Sequence, residues 1–83
     1  MRIGTFYTLP LDRDGETGFL EFDLDIPSTL IMAHGSSRDY IMHRIAETLA
    51  GLCARHQTPK DLWYFKPSDP VRRLTELPEV IPF

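Results

Sequence analysis

Residues 18–26 read GFLEFDLDI, and this stretch decides the fold. From Leu20 to Ile26, apolar side chains alternate strictly with the three carboxylates of Glu21, Asp23 and Asp25. Because successive side chains of a β-strand point to opposite faces, the pattern predicts a strand with one apolar and one acidic face. Acidic residues are poor strand formers, so burial of the apolar face must hold this strand in a sheet.

The segments on either side of this strand predict two further strands. Residues 2–9 are rich in aromatic and β-branched side chains, which favour a strand, and Pro10 ends it. The sequence DRDG at residues 12–15 is typical of a tight turn, so we expect residues 2–9 and 18–26 to pair as a hairpin. After a break at Pro27 and Ser28, the apolar run TLIMA at residues 29–33 predicts a third strand.

A long amphipathic helix is expected over residues 37–56, after a turn at residues 34–36. Ser36 or Ser37 is placed to cap it, and Pro59 follows its end. Its apolar stripe has the i, i+4, i+8, i+11 spacing of a buried helix face. With two residues of the acidic strand, this stripe forms the expected core: Phe22, Leu24, Ile41, Ile45, Leu49 and Leu52.

The C-terminal third predicts a strand, a short helix and a tail. The aromatic run LWYF predicts a strand near residues 62–66, and Asp69 before Pro70 favours a short helix over residues 71–77. Two prolines exclude a helix from residues 77–83, which must be extended. The whole chain, residues 1–83, is therefore predicted as one α+β domain. Its small antiparallel sheet, of β-β-β-α-β order, is covered on one face by the long helix.

Composition restricts the class of protein. A chain of 83 residues has room for one small domain, and a homodimer is compatible with its modest core. Cys53 is the only cysteine, which excludes an intramolecular disulfide and fits a reducing compartment. No apolar run reaches the ~20 residues of a membrane span, and the N-terminus lacks the apolar core of a signal peptide. We therefore expect a cytoplasmic protein without membrane association.

Charge is unevenly distributed along the chain. Residues 12–25 hold six carboxylates against one base, Arg13, a charge of −5 compared with −3 for the whole chain. Direct binding of nucleic acid requires a concentrated basic face, whereas the concentrated face here is acidic. The sequence thus predicts a protein partner with a basic surface and no direct contact with nucleic acid.

Four short motifs in residues 1–56 resemble the N-terminal domain of HicB-family antitoxins. They are Asp12-Arg13-Asp14-Gly15 in the hairpin, Gly18-Phe19 and Leu24-Asp25-Ile26-Pro27 at the two ends of the acidic strand, and Gly35-Ser36-Ser37 before a helix with Ala46 and Ala50. The glycine that usually follows the proline in that family is Ser28 here. The resemblance implies a partial ribonuclease-H-like fold of β-β-β-α-β order and a role in neutralising a partner protein.

The acidic face is the main candidate site. Its carboxylates should repeat at roughly 6.5–7 Å, twice the ~3.3 Å rise per strand residue, which is close to phosphate spacing in nucleic acid. The alternative is a solvated outer face, which is common in antiparallel sheets. The aromatic strand offers a second contact surface. The predicted partner-binding residues are Asp12, Asp14, Glu16, Glu21, Asp23, Asp25, Trp63 and Tyr64.

The favoured function is that of a small acidic binding protein, not an enzyme, that inhibits a nucleic-acid-handling partner. An antitoxin-like neutraliser and a phage anti-defence protein of the anti-CRISPR kind both fit. One alternative is a homo-oligomeric structural subunit that assembles through the aromatic strand and the tail. The other is a small enzyme or ligand-binding protein that uses His34, Ser36, Cys53 and His56. No C-x-x-C or H-E-x-x-H spacing is present, so neither a metal nor another cofactor is expected.

Overall fold

The computed structural model describes residues 1–30 and 38–83. In this part of the chain a four-stranded antiparallel sheet has the strand order β4-β1-β5-β6, and β2 and β3 form a separate hairpin. A single 3-10 turn, Lys60–Leu62, leads into β5. The elements are β1 (Arg2–Thr8), β2 (Leu11–Arg13), β3 (Glu16–Gly18), β4 (Glu21–Asp25), α1 (Arg38–His56), β5 (Trp63–Pro67), α2 (Asp69–Thr75) and β6 (Ile81–Pro82). The predicted α+β class, with a small sheet, one long helix and a short second helix, is confirmed.

Strand β1 lies in the middle of the sheet. It pairs antiparallel with β4 on one side and with β5 on the other, so β4 and β5 run parallel to each other. The expected pairing of residues 2–9 with residues 18–26 is confirmed for Arg2 to Tyr7 and Glu21 to Asp25, but the DRDG turn does not join these two strands. The chain between these strands forms the β2–β3 hairpin, whose turn residues Asp14 and Gly15 have φ values of 52° and 80°.

The predicted third strand is wrong where the structure describes it. Residues 28–30 are helical, and the Leu30 amide donates a hydrogen bond to the Pro27 carbonyl over 3.0 Å. Periodicity alone cannot distinguish a short apolar run in a strand from one in a helix, which is why the pattern misled here. Residues 31–33, the turn at residues 34–36 and the cap at Ser36 or Ser37 lie outside the described residues.

The core lies between the sheet and α1. Five of the six expected core residues are buried, namely Leu24, Ile41, Ile45, Leu49 and Leu52. Phe22 is only half-buried and packs against the rim of the core, because it belongs to a strand at the edge of the sheet. The centre of the cluster is aromatic: Phe6 and Phe65 have ring centroids 4.7 Å apart.

The C-terminal segment packs back on the domain. Helix α2 begins two residues before the predicted start and ends at Thr75, followed by the C-cap residue Glu76, whose φ of 55° is left-handed. Ile81 pairs with Phe65 and is 8% exposed, so the tail supplies the fourth strand of the sheet. The Phe83 ring stacks on that of Phe6 with a centroid distance of 6.4 Å. Among residues 1–30 and 38–83, no helix has the length and apolarity required to cross a membrane.

Candidate protein interface on the outer face of the sheet

The sheet has a second face, opposite the core, which we call the outer face. Residues directly opposite each other on paired strands point to the same side of a sheet. Tyr7 lies opposite Glu21 on β4 and Tyr64 on β5. Thr5 lies opposite Asp23 and Lys66 in the same way. The acidic strand, two tyrosines and one lysine therefore share the outer face.

Three exposed carboxylates, Glu21, Asp23 and Asp25, form what we call the acidic row. Asp23 is oriented by the Thr5 hydroxyl, whose Oγ1 donates to Asp23 Oδ1 over 2.8 Å. The two ion pairs among the described residues, His43–Glu47 and Arg72–Asp69, lie on the helices. Within this part of the chain, no carboxylate of the acidic row is consequently held in an ion pair.

Two bases on β1 and β5, Arg2 and Lys66, lie in register with the acidic row or its neighbours and do not pair with it. Arg2 lies opposite Asp25, next to an irregularity in the β1–β4 register, and the described residues hold no ion pair between them. Lys66 lies opposite Thr5, one strand further from the acidic row. Its Nζ is 5.4 Å from the centroid of the Tyr7 ring, within the range of a cation–π interaction. The negative charge of the outer face is therefore concentrated along β4.

Two stacked tyrosines lie beside the acidic row. The rings of Tyr7 and Tyr64 are 5.4 Å apart between centroids and inclined by 16°, and both are half-buried. They line a shallow groove of about 290 Å³ together with Leu9 and Phe19, which are 50% and 60% exposed. Sequence analysis identified Tyr64 but missed the other three residues. Phe19 precedes the alternating pattern, and an exposed apolar residue has no periodicity that would reveal it.

The acids of the β2–β3 hairpin are exposed as expected, although the hairpin is tied to the helix. Asp12, Asp14 and Glu16 are all exposed, and Asp12 accepts a hydrogen bond from the Thr17 hydroxyl. Arg13, the single base of the acidic segment, donates from Nη2 to the carbonyl oxygen of His56 at the end of α1. The guanidinium is thereby held at the helix C-terminus, where a cation is favourable.

Trp63 was predicted to bind a partner, and the structure places it in the core instead. Its side chain is 1% exposed, and its indole Nε1–H donates to Thr58 Oγ1 over 2.7 Å. Alternation along β5 puts Trp63 and Phe65 on the inner face and Tyr64 on the outer face. Of the two aromatic residues predicted to bind a partner, only Tyr64 is accessible.

Of the four residues of the enzyme hypothesis the structure describes Cys53 and His56, and no hydrogen bond joins the thiol to the His56 Nε2 atom. His34 and Ser36 lie outside the described residues. Cys53 is half-buried. The ring centroids of His56 and Phe22 are 5.0 Å apart. The buried Nε2 atom of His56 has no hydrogen-bond partner within residues 1–30 and 38–83. No group of three His, Cys, Asp or Glu side chains in those residues is arranged to hold a metal ion.

The chemistry that the outer face offers is therefore recognition by carboxylates and aromatic rings. Comparison of the chain with protein-family models, with curated proteins and with solved structures found no match. The geometry of this face is consequently the feature of the chain that bears on its function.

Proposed function

We propose that this chain is a small, non-enzymatic, cytoplasmic binding protein that inhibits a nucleic-acid-handling partner. In this proposal the outer face docks on the basic surface with which the partner holds its nucleic acid. The observation that carries it is the acidic row, whose three exposed carboxylates form no ion pair in the described part of the chain.

Repulsion within the acidic row favours the binding of a basic partner. Carboxylates on alternate residues of one strand repel each other, and a surface selected only for stability would intersperse positive charges. A partner's Lys and Arg side chains would relieve that repulsion and would find an acidic field that steers their approach. The protein would thus compete with phosphates for the same basic groups.

Charge alone mainly raises the rate of association, so a stable complex needs apolar contact as well. The groove beside the acidic row supplies it through Tyr7, Tyr64 and the exposed Phe19. Aromatic residues carry much of the binding energy in protein interfaces. An acidic row beside an aromatic groove fits both biological roles that the sequence suggested, an antitoxin-like neutraliser and a phage anti-defence protein of the anti-CRISPR kind.

The test compares wild-type protein with the charge-reversed variant E21K/D23K/D25K, each immobilised and exposed to a lysate of the native host. The matched control is E47K/D61K/E79K, which makes the same change in net charge at three exposed positions outside the acidic row. Circular dichroism establishes that all three proteins are folded.

We expect wild type and the matched control to capture a nucleic-acid-binding protein that is released by salt, because exposed charges are screened over about 8–10 Å near physiological ionic strength. The acidic-row variant should not capture it. Added wild-type protein should also prevent the captured protein from binding its nucleic acid. Equal capture by the acidic-row variant would show that these carboxylates are only a solvated face.

The two other hypotheses gain no support from a specific observation. The tail, through which the oligomeric alternative would assemble, pairs with β5 inside the domain. The enzyme hypothesis lacks a nucleophile and base in hydrogen-bond contact among the described residues.

A further inference from the structure

We infer that β4 binds an extended basic segment of the partner as an additional antiparallel strand. This inference rests on the proposed function and specifies the form of the partner. It follows from three observations: the direction of the backbone groups of β4, the difference between the two edges of the sheet, and the side chains on the two faces of β4.

The backbone N–H and C=O groups of the acidic-row residues point away from β1. The Thr8 amide donates to the Leu20 carbonyl and the Ile26 amide donates to the Met1 carbonyl, each over 3.0 Å. Because backbone groups alternate in direction along a strand, the even-numbered residues of β4 face β1 and the odd-numbered ones face outward. The N–H and C=O groups of Glu21 and Asp23 therefore point to the free edge, along which no described strand pairs.

The two edges of the sheet differ in what they would accept. Strand β6 has only two residues, and one of them is Pro82, which has no N–H group to donate. Strand β4 has five residues without proline or glycine, a length sufficient to template another strand. The negative charge of β4 disfavours pairing with another strand, but only when that strand is also negatively charged.

That charge also identifies the occupant. If β4 paired with β4 of a second copy, antiparallel pairing about Asp23 would place two acidic rows against each other. Like charges directly opposite each other destabilise a sheet, so self-pairing is disfavoured. A strand with Lys or Arg at alternate positions would instead place one cation opposite each of Glu21, Asp23 and Asp25.

The inner face of β4 specifies the intervening positions. Phe22 is half-buried at the rim of the core, and Leu24 lies beside it on the same face. The side chains of an added strand that point inward would extend this apolar layer. The favoured segment thus alternates basic and apolar residues, which is complementary to the alternation of β4 itself. Addition of a strand to a sheet edge is a common mode of peptide recognition.

The test uses the full chain and the capped synthetic heptapeptide Ser-Lys-Val-Lys-Val-Lys-Ser at low ionic strength. Two variants of this peptide, identical in charge and composition, serve as a matched pair. In one the backbone amides of the three lysines are N-methylated, and in the other those of the two valines and the last serine. In an antiparallel addition the lysine amides bond to β4, whereas the other methylated amides face solvent. Calorimetry measures affinity, and hydrogen exchange reports on the amides of Glu21 and Asp23.

We expect the unmodified peptide to bind and to slow exchange of the Glu21 and Asp23 amides. Methylation at the lysines should weaken binding by about tenfold or more, since the backbone hydrogen bonds are lost while the charge remains. Methylation at the other positions should change affinity little. If the lysine-methylated peptide binds as tightly as the unmodified one, or exchange is unchanged, strand addition is wrong. That result leaves charge-based docking intact, because the proposed function fails only through the E21K/D23K/D25K capture test.

Discussion

Arg13 on the β2–β3 hairpin and His56 at the end of α1 are joined by a hydrogen bond, with 2.5 Å between the Nη2 donor and the carbonyl oxygen. The two residues are 43 positions apart in the chain, so this bond links the hairpin to the helix that covers the core. Replacing Arg13 by Met should lower the free energy of unfolding by about 0.5–1.5 kcal/mol, since an exposed bond of this type contributes modestly. Arg13→Lys should recover part of the loss by keeping a cation at the helix terminus. Denaturant unfolding measures both variants, and equal stability of Arg13→Met and wild type would contradict the link.

The hydrogen bond between Trp63 and Thr58 should stabilise the core. Thr58 is 7% exposed, and its hydroxyl accepts from the buried indole Nε1–H. Thr58→Val should destabilise the domain by about 1–3 kcal/mol, because a buried donor is left without an acceptor. Thr58→Ser keeps the hydroxyl and should lose less. Tryptophan fluorescence during chemical denaturation follows the single indole directly, and a smaller loss in Thr58→Val than in Thr58→Ser would mean that the methyl group matters instead of the hydrogen bond.

Gly4 is required by a close approach between strands. A Cβ atom at this position would lie 2.4 Å from the Lys66 carbonyl oxygen and 2.5 Å from Cζ of the Phe65 ring. Because the carbonyl belongs to the backbone of β5, Gly4→Ala should force β1 and β5 apart and destabilise the domain by about 2–3 kcal/mol. The matched control is Gly51→Ala at an exposed position of α1, where nothing beyond the helix's own adjacent backbone lies within 4 Å of the new Cβ. There we expect a gain of about 0.5–1 kcal/mol from helix propensity. Chemical denaturation compares the two variants, and equal stability of Gly4→Ala and wild type would contradict the close approach.

Leu49 tests the orientation of α1. Its side chain is 5% exposed within the hydrophobic core, so Leu49→Ala should reduce the free energy of unfolding by about 2–5 kcal/mol. Glu47→Ala, at an exposed position two residues earlier, should change stability by no more than about 0.5 kcal/mol. Thermal unfolding monitored by circular dichroism compares the two, and a small effect at Leu49 would contradict the packing of the helix described above.

Neutralising the acidic row should leave the fold at least as stable as it is now. In E21Q/D23N/D25N the repulsion along the strand is removed, and the amide oxygen introduced at position 23 can still accept from the Thr5 hydroxyl. We expect a gain of up to about 0.5 kcal/mol, with wild type approaching the variant as salt is raised. Urea denaturation at low and high salt measures this difference. A loss of stability in the variant would mean that the carboxylates serve the fold rather than a partner.

Short sequence patterns were sufficient to predict the secondary structure wherever a pattern is typical of one kind of element. The strand at β4 and the buried stripe of α1 were predicted correctly, because each pattern matches one element and few others. The DRDG turn was also predicted, but it closes the separate β2–β3 hairpin and does not join β1 directly to β4. The apolar run at residues 29–33 was ambiguous, and its first two residues are helical. A run without polar positions carries no periodicity that could separate the two structures.

The amino-acid sequence was sufficient to predict the α+β class, the acidic face of β4, the buried stripe of α1 and most of the core. Each of these follows from which side chains avoid water along one element, and that information is local. The fold in three dimensions was needed to show that Trp63 is buried while Tyr64 stacks on Tyr7, that Lys66 lies over Tyr7, and that β4 lies at an edge of the sheet along which no described strand pairs. These features depend on the order of strands in the sheet and on contacts between distant segments, which no spacing within a single element encodes.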